Sequence, residues 1–163
     1  MPSDTLTALA TLVGAKLKAQ GVMLATAESC TGGWVAQAVT AISGSSDWFE
    51  RGFVTYSDAA KQEMLGVSAH TLAEHGAVSE PTAREMAAGA LAHSRAQVAV
   101  AITGIAGPTG GSPEKPVGMV CFGWAVKDGA LNAGTRQFKG DRESVRRQSV
   151  IAALQGVLEL LEG

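Results

Sequence analysis

The chain has 163 residues, of which 46% are hydrophobic and 17% charged, and its formal net charge is −2 at pH 7. This length and composition predict one folded domain with a substantial core and exclude a disordered chain. The slightly acidic balance argues against a broad electrostatic grip on nucleic acid, so we expect no nucleic-acid partner. Two cysteines, Cys30 and Cys121, cannot form a disulfide framework, and no Cys/His spacing indicates a zinc site. A cytoplasmic setting and no metal are therefore expected.

The amino-terminal segment, residues 1–20, is amphipathic and lacks the continuous apolar core and cleavage site of a signal peptide. Elsewhere, no stretch of the sequence is long and apolar enough to span a bilayer, so we expect no membrane partner. The sequence contains neither an internal repeat nor a linker. Residues 1–163 are therefore predicted to form a single domain.

The predicted elements follow from the periodicity of apolar residues and from Gly, Pro and Ser at the boundaries. In chain order they are a helix over 5–19, a strand over 22–27, a helix over 33–42, a loop over 43–47, a strand over 48–57, helices over 59–65 and 69–75, a helix from 79 to about 94, a strand over 97–102, a Gly/Pro loop over 103–116, strands over 117–126 and 131–138, and a final helix from 141. The last two strands read as an antiparallel hairpin. We expect an α/β fold, a three-layer α/β/α sandwich with a mixed β-sheet, whose strand order stays open.

The stretch 28–33, Glu-Ser-Cys-Thr-Gly-Gly, lies between a predicted strand and a predicted helix. A turn at this position aims backbone N–H groups and the positive end of a helix dipole at one spot. Hydroxyls of Ser29 and Thr31 beside such a turn indicate acyl-transfer or phosphate chemistry. The alternative is that one of these hydroxyls only caps the helix. For Cys30 two interpretations are open, a thiol with a lowered pKa or a buried inert thiol.

A serine nucleophile needs a base to remove its proton. The chain has three histidines, all in predicted helices and none with an evident triad partner: His70, His75 and His93. Lys61 is better placed, because it follows the end of a predicted strand, near Tyr56. A lysine whose pKa is lowered by burial can serve as the base for a serine. The alternatives are a solvated lysine and a tyrosine packed at the sheet edge.

Two further segments carry groups that bind anions. The loop 103–111 has four glycines and a proline directly after a buried strand, where backbone amides can approach an anion or oxyanion. The segment 140–147 opens the final helix, with Asp141 as the predicted N-cap and with Arg142 and Arg146 on one helix face. Arginines there can hold a phosphate or carboxylate. The alternatives are a flexible surface loop and a solvated charged face.

Five segments together, residues 28–33, 55–61, 77–79, 103–108 and 140–146, recur in this order in one family. Over essentially its whole length the chain resembles the CinA C-terminal domain family, whose stand-alone members are nicotinamide-nucleotide amidohydrolases. The resemblance implies hydrolysis of the carboxamide of nicotinamide mononucleotide to nicotinate mononucleotide and ammonia, a step of pyridine-nucleotide salvage. It also implies a Ser-Lys site that needs no metal or other cofactor.

Carried over by position, Ser29 would be the nucleophile and Lys61 its general base, and Tyr56 would orient the lysine or the leaving amine. The resemblance also implies binding residues: Thr31, Gly32 and Gly33 in an oxyanion or phosphate turn, Thr103 and Gly104 in the pocket wall, and Arg142 and Arg146 on the substrate phosphate.

Longer members of the family carry an additional amino-terminal domain, which we expect to be absent here. Ala-rich helices and an apolar final helix suggest packing between subunits, so a homo-oligomer is expected. Two alternatives to the amidohydrolase stay open, a non-catalytic nucleotide- or phosphate-binding module and a hydrolase of another amide or ester. Of the amidohydrolase and the binding module, only the amidohydrolase requires Ser29 and Lys61 within hydrogen-bond reach.

Overall fold

The computed structural model of the chain describes residues 2–163, with side chains from residue 5 onward. The elements within this range are, in chain order, α1 (Pro2–Gln20), β1 (Leu24–Glu28), α2 (Trp34–Thr40), a short 3₁₀ helix (Ser45–Asp47), β2 (Phe49–Val54), α3 (Asp58–Leu65), α4 (Ala69–His75), α5 (Glu80–Ala92), β3 (Val98–Gly104), β4 (Met119–Val126), β5 (Leu131–Gln137) and α6 (Arg142–Glu162). Each predicted helix and strand is present, and most boundaries differ from the prediction by one to three residues.

The strands of the described chain form one mixed sheet in the order β2-β1-β3-β4-β5. β1 pairs in parallel with β2 and with β3, whereas β3 with β4 and β4 with β5 pair antiparallel. The carboxyl ends of β1, β2 and β3 therefore meet at one edge of the sheet, where ligands bind in open α/β folds. The predicted mixed sheet and hairpin are confirmed, and the structure supplies the strand order that the sequence left open.

Two apolar cores, one on each face of the sheet, follow from the alternation of side chains along the strands. In β3, Val98, Val100 and Ile102 pack on the side of α1, α2 and α6, whereas Ala99 and Ala101 pack on the side of α3 and α5. Because successive strand residues point to opposite faces, the large residues of β3 enter one core and its alanines enter the other. The α/β/α sandwich predicted from the sequence is confirmed.

Helix α5 lies close to the alanine face of the sheet, and glycine makes this approach possible. A Cβ atom added to Gly123 of β4 would lie 2.3 Å from the carbonyl oxygen of Ala83 in α5. A Cβ atom added to Gly89 of α5 would lie 2.0 Å from the carbonyl oxygen of Leu65 in α3. These glycines therefore allow backbones to pack at distances that any side chain would prevent.

Several helix starts are fixed by side-chain caps, among them the predicted cap at Asp141. Ser68 accepts hydrogen bonds from the amides of His70 and Thr71 at the start of α4, and Asp141 accepts one from Ser144 at the start of α6. Ser57 caps α3 in the same way by accepting from Ala60. Because a cap satisfies an otherwise unpaired helix N–H, these residues set where each helix begins. In the described part of the chain, no helix combines the length and apolar character needed to cross a bilayer.

Candidate active site

A cavity of about 220 Å³ lies at the carboxyl ends of the parallel strands. Its walls come from segments that are far apart in the sequence, and the lining residues are Ser29, Cys30, Tyr56, Asp58, Lys61, Ala77, Val78, Thr103, Gly104, Ala106 and Arg142. Six of the ten predicted site residues belong to this lining. The other four are not in this lining, because Thr31, Gly32 and Gly33 continue the turn that carries Ser29 and Arg146 contacts that turn.

Glu28 holds this turn from the inside. It is the last residue of β1 and 1% exposed, and its carboxylate accepts hydrogen bonds from Thr31 Oγ1 at 2.6 Å and from the amides of Val35 at 2.9 Å and Ala36 at 3.1 Å. Glu28 thus caps α2 in place of the hydroxyls that the sequence suggested. The hydroxyl of Thr31 is committed to this carboxylate and faces away from the cavity, so the expected role of this hydroxyl at the site is not supported.

The turn itself depends on two glycines. Gly32 has φ 59° and Gly33 has φ 106°, and both values lie in the left-handed region that favours glycine. Gly33 precedes the first residue of α2, so the helix begins at Trp34 rather than at the predicted residue 33. The glycines therefore reverse the chain behind Ser29, and neither lines the cavity.

Arg146 holds the same turn from the outside. Its Nε donates to the carbonyl oxygen of Cys30 at 3.0 Å, and its Nη2 donates to that of Thr31 at 3.2 Å. The guanidinium also lies over the ring of Trp34, 5.7 Å from the ring centroid. Arg146 is thus engaged with the turn and does not line the cavity, so the structure does not bring it to a substrate phosphate as the sequence suggested.

Ser29 and Lys61 meet at the floor of the cavity. Lys61 lies one turn into α3, is 1% exposed, and places Nζ 3.0 Å from Oγ of Ser29, which is 7% exposed. The same Nζ lies 3.0 Å from the carbonyl oxygen of Thr55 and 3.4 Å from that of Tyr56. The requirement that separates the amidohydrolase from a binding module, a hydrogen bond between Ser29 and Lys61, is met.

The surroundings of Lys61 favour its neutral form. Burial lowers the pKa of the Lys61 amine, and the negative charge of Asp58 partly opposes this shift. A neutral amine has two N–H groups and one lone pair. Two carbonyl oxygens can take the two N–H groups, which leaves the lone pair to accept the hydroxyl proton of Ser29. A protonated amine can instead donate to all three oxygens, so the geometry suits proton transfer in either direction.

Tyr56 and Arg142 lie together at the mouth of the cavity. Arg142 donates from Nη1 to the carbonyl oxygen of Gly107 at 2.8 Å and from Nη2 to the phenolic oxygen of Tyr56 at 3.2 Å. The Tyr56 side chain is 62% exposed. Its phenol therefore contacts the arginine, and it is the backbone carbonyl of Tyr56 that contacts Lys61.

Thr103 and Gly104 end β3 and form another wall. Thr103 donates from Oγ1 to the carbonyl oxygen of Ala77 at 2.8 Å, which fixes the segment before α5 against the sheet. A Cβ atom on Gly104 would lie 2.8 Å from Cγ2 of Val120. Gly104 is thus required for the packing of β3 on β4, in addition to its place in the lining.

The remaining reactive side chains do not take part in this arrangement. Burial raises the pKa of the Cys30 thiol to about 12, which supports the interpretation as an inert thiol. His70 is exposed and pairs with Glu74, and the ring Nδ1 of His93 lies 2.9 Å from the carbonyl oxygen of Gly89. Across residues 2–163 no group of His, Cys, Asp or Glu is arranged to hold a metal ion.

Sequence reasoning missed Asp58 and the inner role of Glu28. Asp58 is the first residue of α3 and lines the cavity, where its charge acts on Lys61. Its position three residues before the candidate base, on the same helix face, is the signal that could have revealed it. The sequence shows Glu28 only as the residue before Ser29, and its partners on α2 become visible only in three dimensions.

Known proteins share this architecture and sequence. The model of the CinA C-terminal domain matches residues 6–161. Nicotinamide-nucleotide amidohydrolase PncC of Escherichia coli strain K12 is 57% identical over 155 residues, covering 95% of this chain and 94% of the relative. PncC of Enterobacter agglomerans is 56% identical, covering 97% and 96%. The crystal structure of competence/damage inducible protein CihA from Agrobacterium tumefaciens is 46% identical with a TM-score of 0.93, covering 98% and 96%. The chain therefore belongs to the CinA C-terminal domain family.

Proposed function

We propose that this protein hydrolyses the carboxamide of nicotinamide mononucleotide to nicotinate mononucleotide and ammonia, as the names of its PncC relatives suggest. The observation that carries the proposal is the 3.0 Å contact between Nζ of Lys61 and Oγ of Ser29 at the floor of a cavity. This pair supplies what amide hydrolysis needs first, a nucleophile with a base in reach. We also propose that the protein acts in the cytoplasm and that the reaction is a step of pyridine-nucleotide salvage.

In the first half of the reaction, Ser29 attacks the carboxamide carbon. Nζ of Lys61 takes the hydroxyl proton as the bond from Oγ to carbon forms. When the tetrahedral intermediate collapses, the carbon–nitrogen bond breaks and the Lys61 ammonium gives its proton to the leaving nitrogen. Ammonia departs, and the nicotinoyl group remains as an ester on Ser29.

In the second half, water attacks the ester carbon. Lys61, neutral again, accepts a proton from this water and returns it to Oγ of Ser29 as the ester bond breaks. The product is the carboxylic acid, which ionises to nicotinate mononucleotide. One lysine thus acts as base and then as acid in each half, so its pKa must lie near the working pH. Burial of Lys61 shifts its pKa in the required direction.

The oxyanion of each tetrahedral intermediate needs hydrogen-bond donors. The amide of Ser29 donates to the carbonyl oxygen of Ile102 at 3.0 Å, and the amide of Gly32 donates to that of Ser29 at 3.0 Å. These two N–H groups are already used inside the protein. We infer that the oxyanion receives its donors from groups other than the amides of Ser29 and Gly32, whereas the resemblance implied a turn of Thr31, Gly32 and Gly33 as an oxyanion or phosphate site.

The phosphate of the substrate is assigned to Arg142. Its guanidinium lies at the mouth of the cavity, held by the carbonyl of Gly107 and the phenol of Tyr56. With the carboxamide on Ser29, the rest of a nucleotide extends toward this mouth because the floor is closed by buried Ser29 and Lys61. Arg146 stabilises the turn through the carbonyl oxygens of Cys30 and Thr31 and does not contact the phosphate in this proposal.

The test is ammonia release from nicotinamide mononucleotide by purified wild type, Ser29→Ala and Lys61→Met, with a chelator present. Lys127→Met, at an exposed hairpin position, is the matched control for the lysine change. We expect turnover by wild type and the control, and none above background by the two site variants. Nucleotide binding by calorimetry completes the test, because a folded wild type that binds the nucleotide without turnover would identify a binding module instead.

A further inference from the structure

A carboxylate lies in the wall of the cavity that contains Ser29 and Lys61. Among the lining residues, all of which belong to the described part of the chain, Asp58 is the one acid. It is the first residue of α3, so roughly 4–5 Å of helix rise separate it from Lys61. Lys61 is buried at the floor, whereas Asp58 is exposed. The carboxylate of Asp58 therefore lies on the solvent side of the reactive pair, toward the mouth of the cavity.

The fold makes little use of this carboxylate. Ser57 already caps α3 by accepting a hydrogen bond from the amide of Ala60. Within the part of the chain that the structure describes, the side chain of Asp58 accepts no hydrogen bond and forms no ion pair. Its charge acts on Lys61 from beyond ion-pair distance. An acid that lines a cavity without a cationic partner of its own is available to a cationic ligand.

The substrate of the proposed reaction carries charges of both signs. Because the ring nitrogen of nicotinamide mononucleotide is bonded to the ribose, the ring is a pyridinium cation, and the phosphate at the other end of the molecule is an anion. The carboxamide and the charged nitrogen belong to the same ring. With the carboxamide on Ser29, the ring lies just above the floor, at the depth of Asp58, and the phosphate extends toward Arg142 at the mouth.

We propose, on the basis of the proposed function, that the carboxylate of Asp58 recognises the positive charge of this ring. The site then selects oxidised pyridinium nucleotides over nucleotides whose ring is neutral. The charges of the cavity match those of the substrate in order from floor to mouth, because Asp58 faces the cationic ring and Arg142 faces the anionic phosphate. A neutral ring leaves the carboxylate without a counter-charge, and this difference in affinity is the source of the selectivity.

The test compares two nucleotides that differ in ring charge, nicotinamide mononucleotide and its reduced dihydropyridine form, whose ring is neutral and of nearly the same size. Their binding is measured by calorimetry in the Ser29→Ala variant, because a protein without the nucleophile should consume neither ligand. We expect this variant to bind the oxidised nucleotide more tightly than the reduced one. Adding Asp58→Asn should raise the dissociation constant of the oxidised nucleotide about three- to tenfold and leave that of the reduced nucleotide within about twofold.

Two further variants in the same Ser29→Ala background serve as controls. Asp128→Asn makes the same chemical change at an exposed position of the β4–β5 hairpin and should alter neither dissociation constant. Asp58→Glu keeps the negative charge and should keep the preference for the oxidised nucleotide. Circular dichroism checks that each variant is folded.

An effect passed on only through Lys61 would have the opposite sign. Loss of the Asp58 charge lowers the pKa of Lys61, so the amine is more often neutral and repels a cationic ring less. Equal affinity of Ser29→Ala for the two nucleotides, equal weakening of both by Asp58→Asn, or a loss in Asp58→Glu as large as in Asp58→Asn would each overturn the proposed recognition. Failure of the proposed function is a separate result, a wild type that releases no ammonia from nicotinamide mononucleotide.

Discussion

The amine of Lys61 and the hydroxyl of Ser29 are 32 positions apart in the sequence and 3.0 Å apart in the fold. Ser29 lies at the end of β1 and Lys61 in the first half of α3, and the parallel pairing of β1 with β2 brings these segments together. Both side chains are buried, so neither is a surface group that meets the other by chance. The fold therefore brings the two side chains into contact, and substitutions at either residue test what the contact does.

Replacing Lys61 tests its role as a base. Lys61→Met keeps much of the volume of the side chain and removes the amine, and Lys61→Arg keeps a positive charge that cannot be lost at working pH. We expect both variants to lose at least about 10³-fold in kcat for ammonia release. Substantial activity in the arginine variant would show that a neutral amine is not required.

The pH dependence of the reaction follows from the lowered pKa of Lys61. Because the neutral amine is the base, kcat/KM should rise with pH as Lys61 loses its proton, and this rise should occur below the ordinary lysine range. The charge of Asp58 raises the pKa of Lys61, so Asp58→Asn should move the rise to lower pH. Glu143→Asn, at an exposed position on α6, is the control. If Asp58→Asn does not shift the pH dependence of kcat/KM, the rise cannot be assigned to Lys61.

The lowered pKa of Lys61 also makes the stability of the folded protein depend on pH. Between the lowered pKa of Lys61 and its ordinary value, the unfolded chain binds more protons at this residue than the folded chain does. The free energy of unfolding should therefore rise with pH in this window, and the contribution of Lys61 is lost as pH falls through its folded-state pKa. Lys61→Met should flatten this slope in urea unfolding measured at several pH values. If the free energy of unfolding of this variant rises with pH as in wild type, groups other than Lys61 cause the rise.

Glu28 should support both stability and catalysis through the turn. Glu28→Gln keeps the shape but replaces one acceptor oxygen with a donor, facing partners that themselves donate. We expect a loss of about 1–3 kcal/mol in the free energy of unfolding and a lower kcat with KM little changed. Urea unfolding and steady-state kinetics measure the two effects. Glu159→Gln, exposed on α6, should change neither kcat nor the free energy of unfolding.

Arg142 and Arg146 share one helix face and should nevertheless give different phenotypes. Arg142→Gln removes the proposed phosphate contact, so kcat/KM for nicotinamide mononucleotide should fall about 10- to 100-fold more than for the riboside that lacks the phosphate. Arg146→Gln removes the hold on the carbonyls of Cys30 and Thr31, so it should lower stability and reduce turnover of both substrates equally. A selective loss of the phosphorylated substrate in the Arg146 variant would reverse the assignment.

Local rules were sufficient to predict much of this molecule. The cap at Asp141 and the buried run of β3 depend on neighbouring residues, and each was predicted correctly. The pairing of Ser29 with Lys61 was predicted from a resemblance and from the position of each residue after a predicted strand. The target of Arg146 could not be predicted, because its residue type suits a phosphate and a carbonyl equally well, and only the packing of α6 beside the turn decides between them.

The contact of Arg146 with Cys30 spans 116 positions. The serine turn is therefore completed by a helix that is synthesised long after β1, and a nascent chain that has not reached this helix carries Ser29 without its outer support. Contacts of such long sequence separation form late in folding, because much of the chain must be ordered before they are made. We expect the protein to acquire its reactive serine only in the last stage of folding, so that shortened or incompletely folded chains bind no substrate productively.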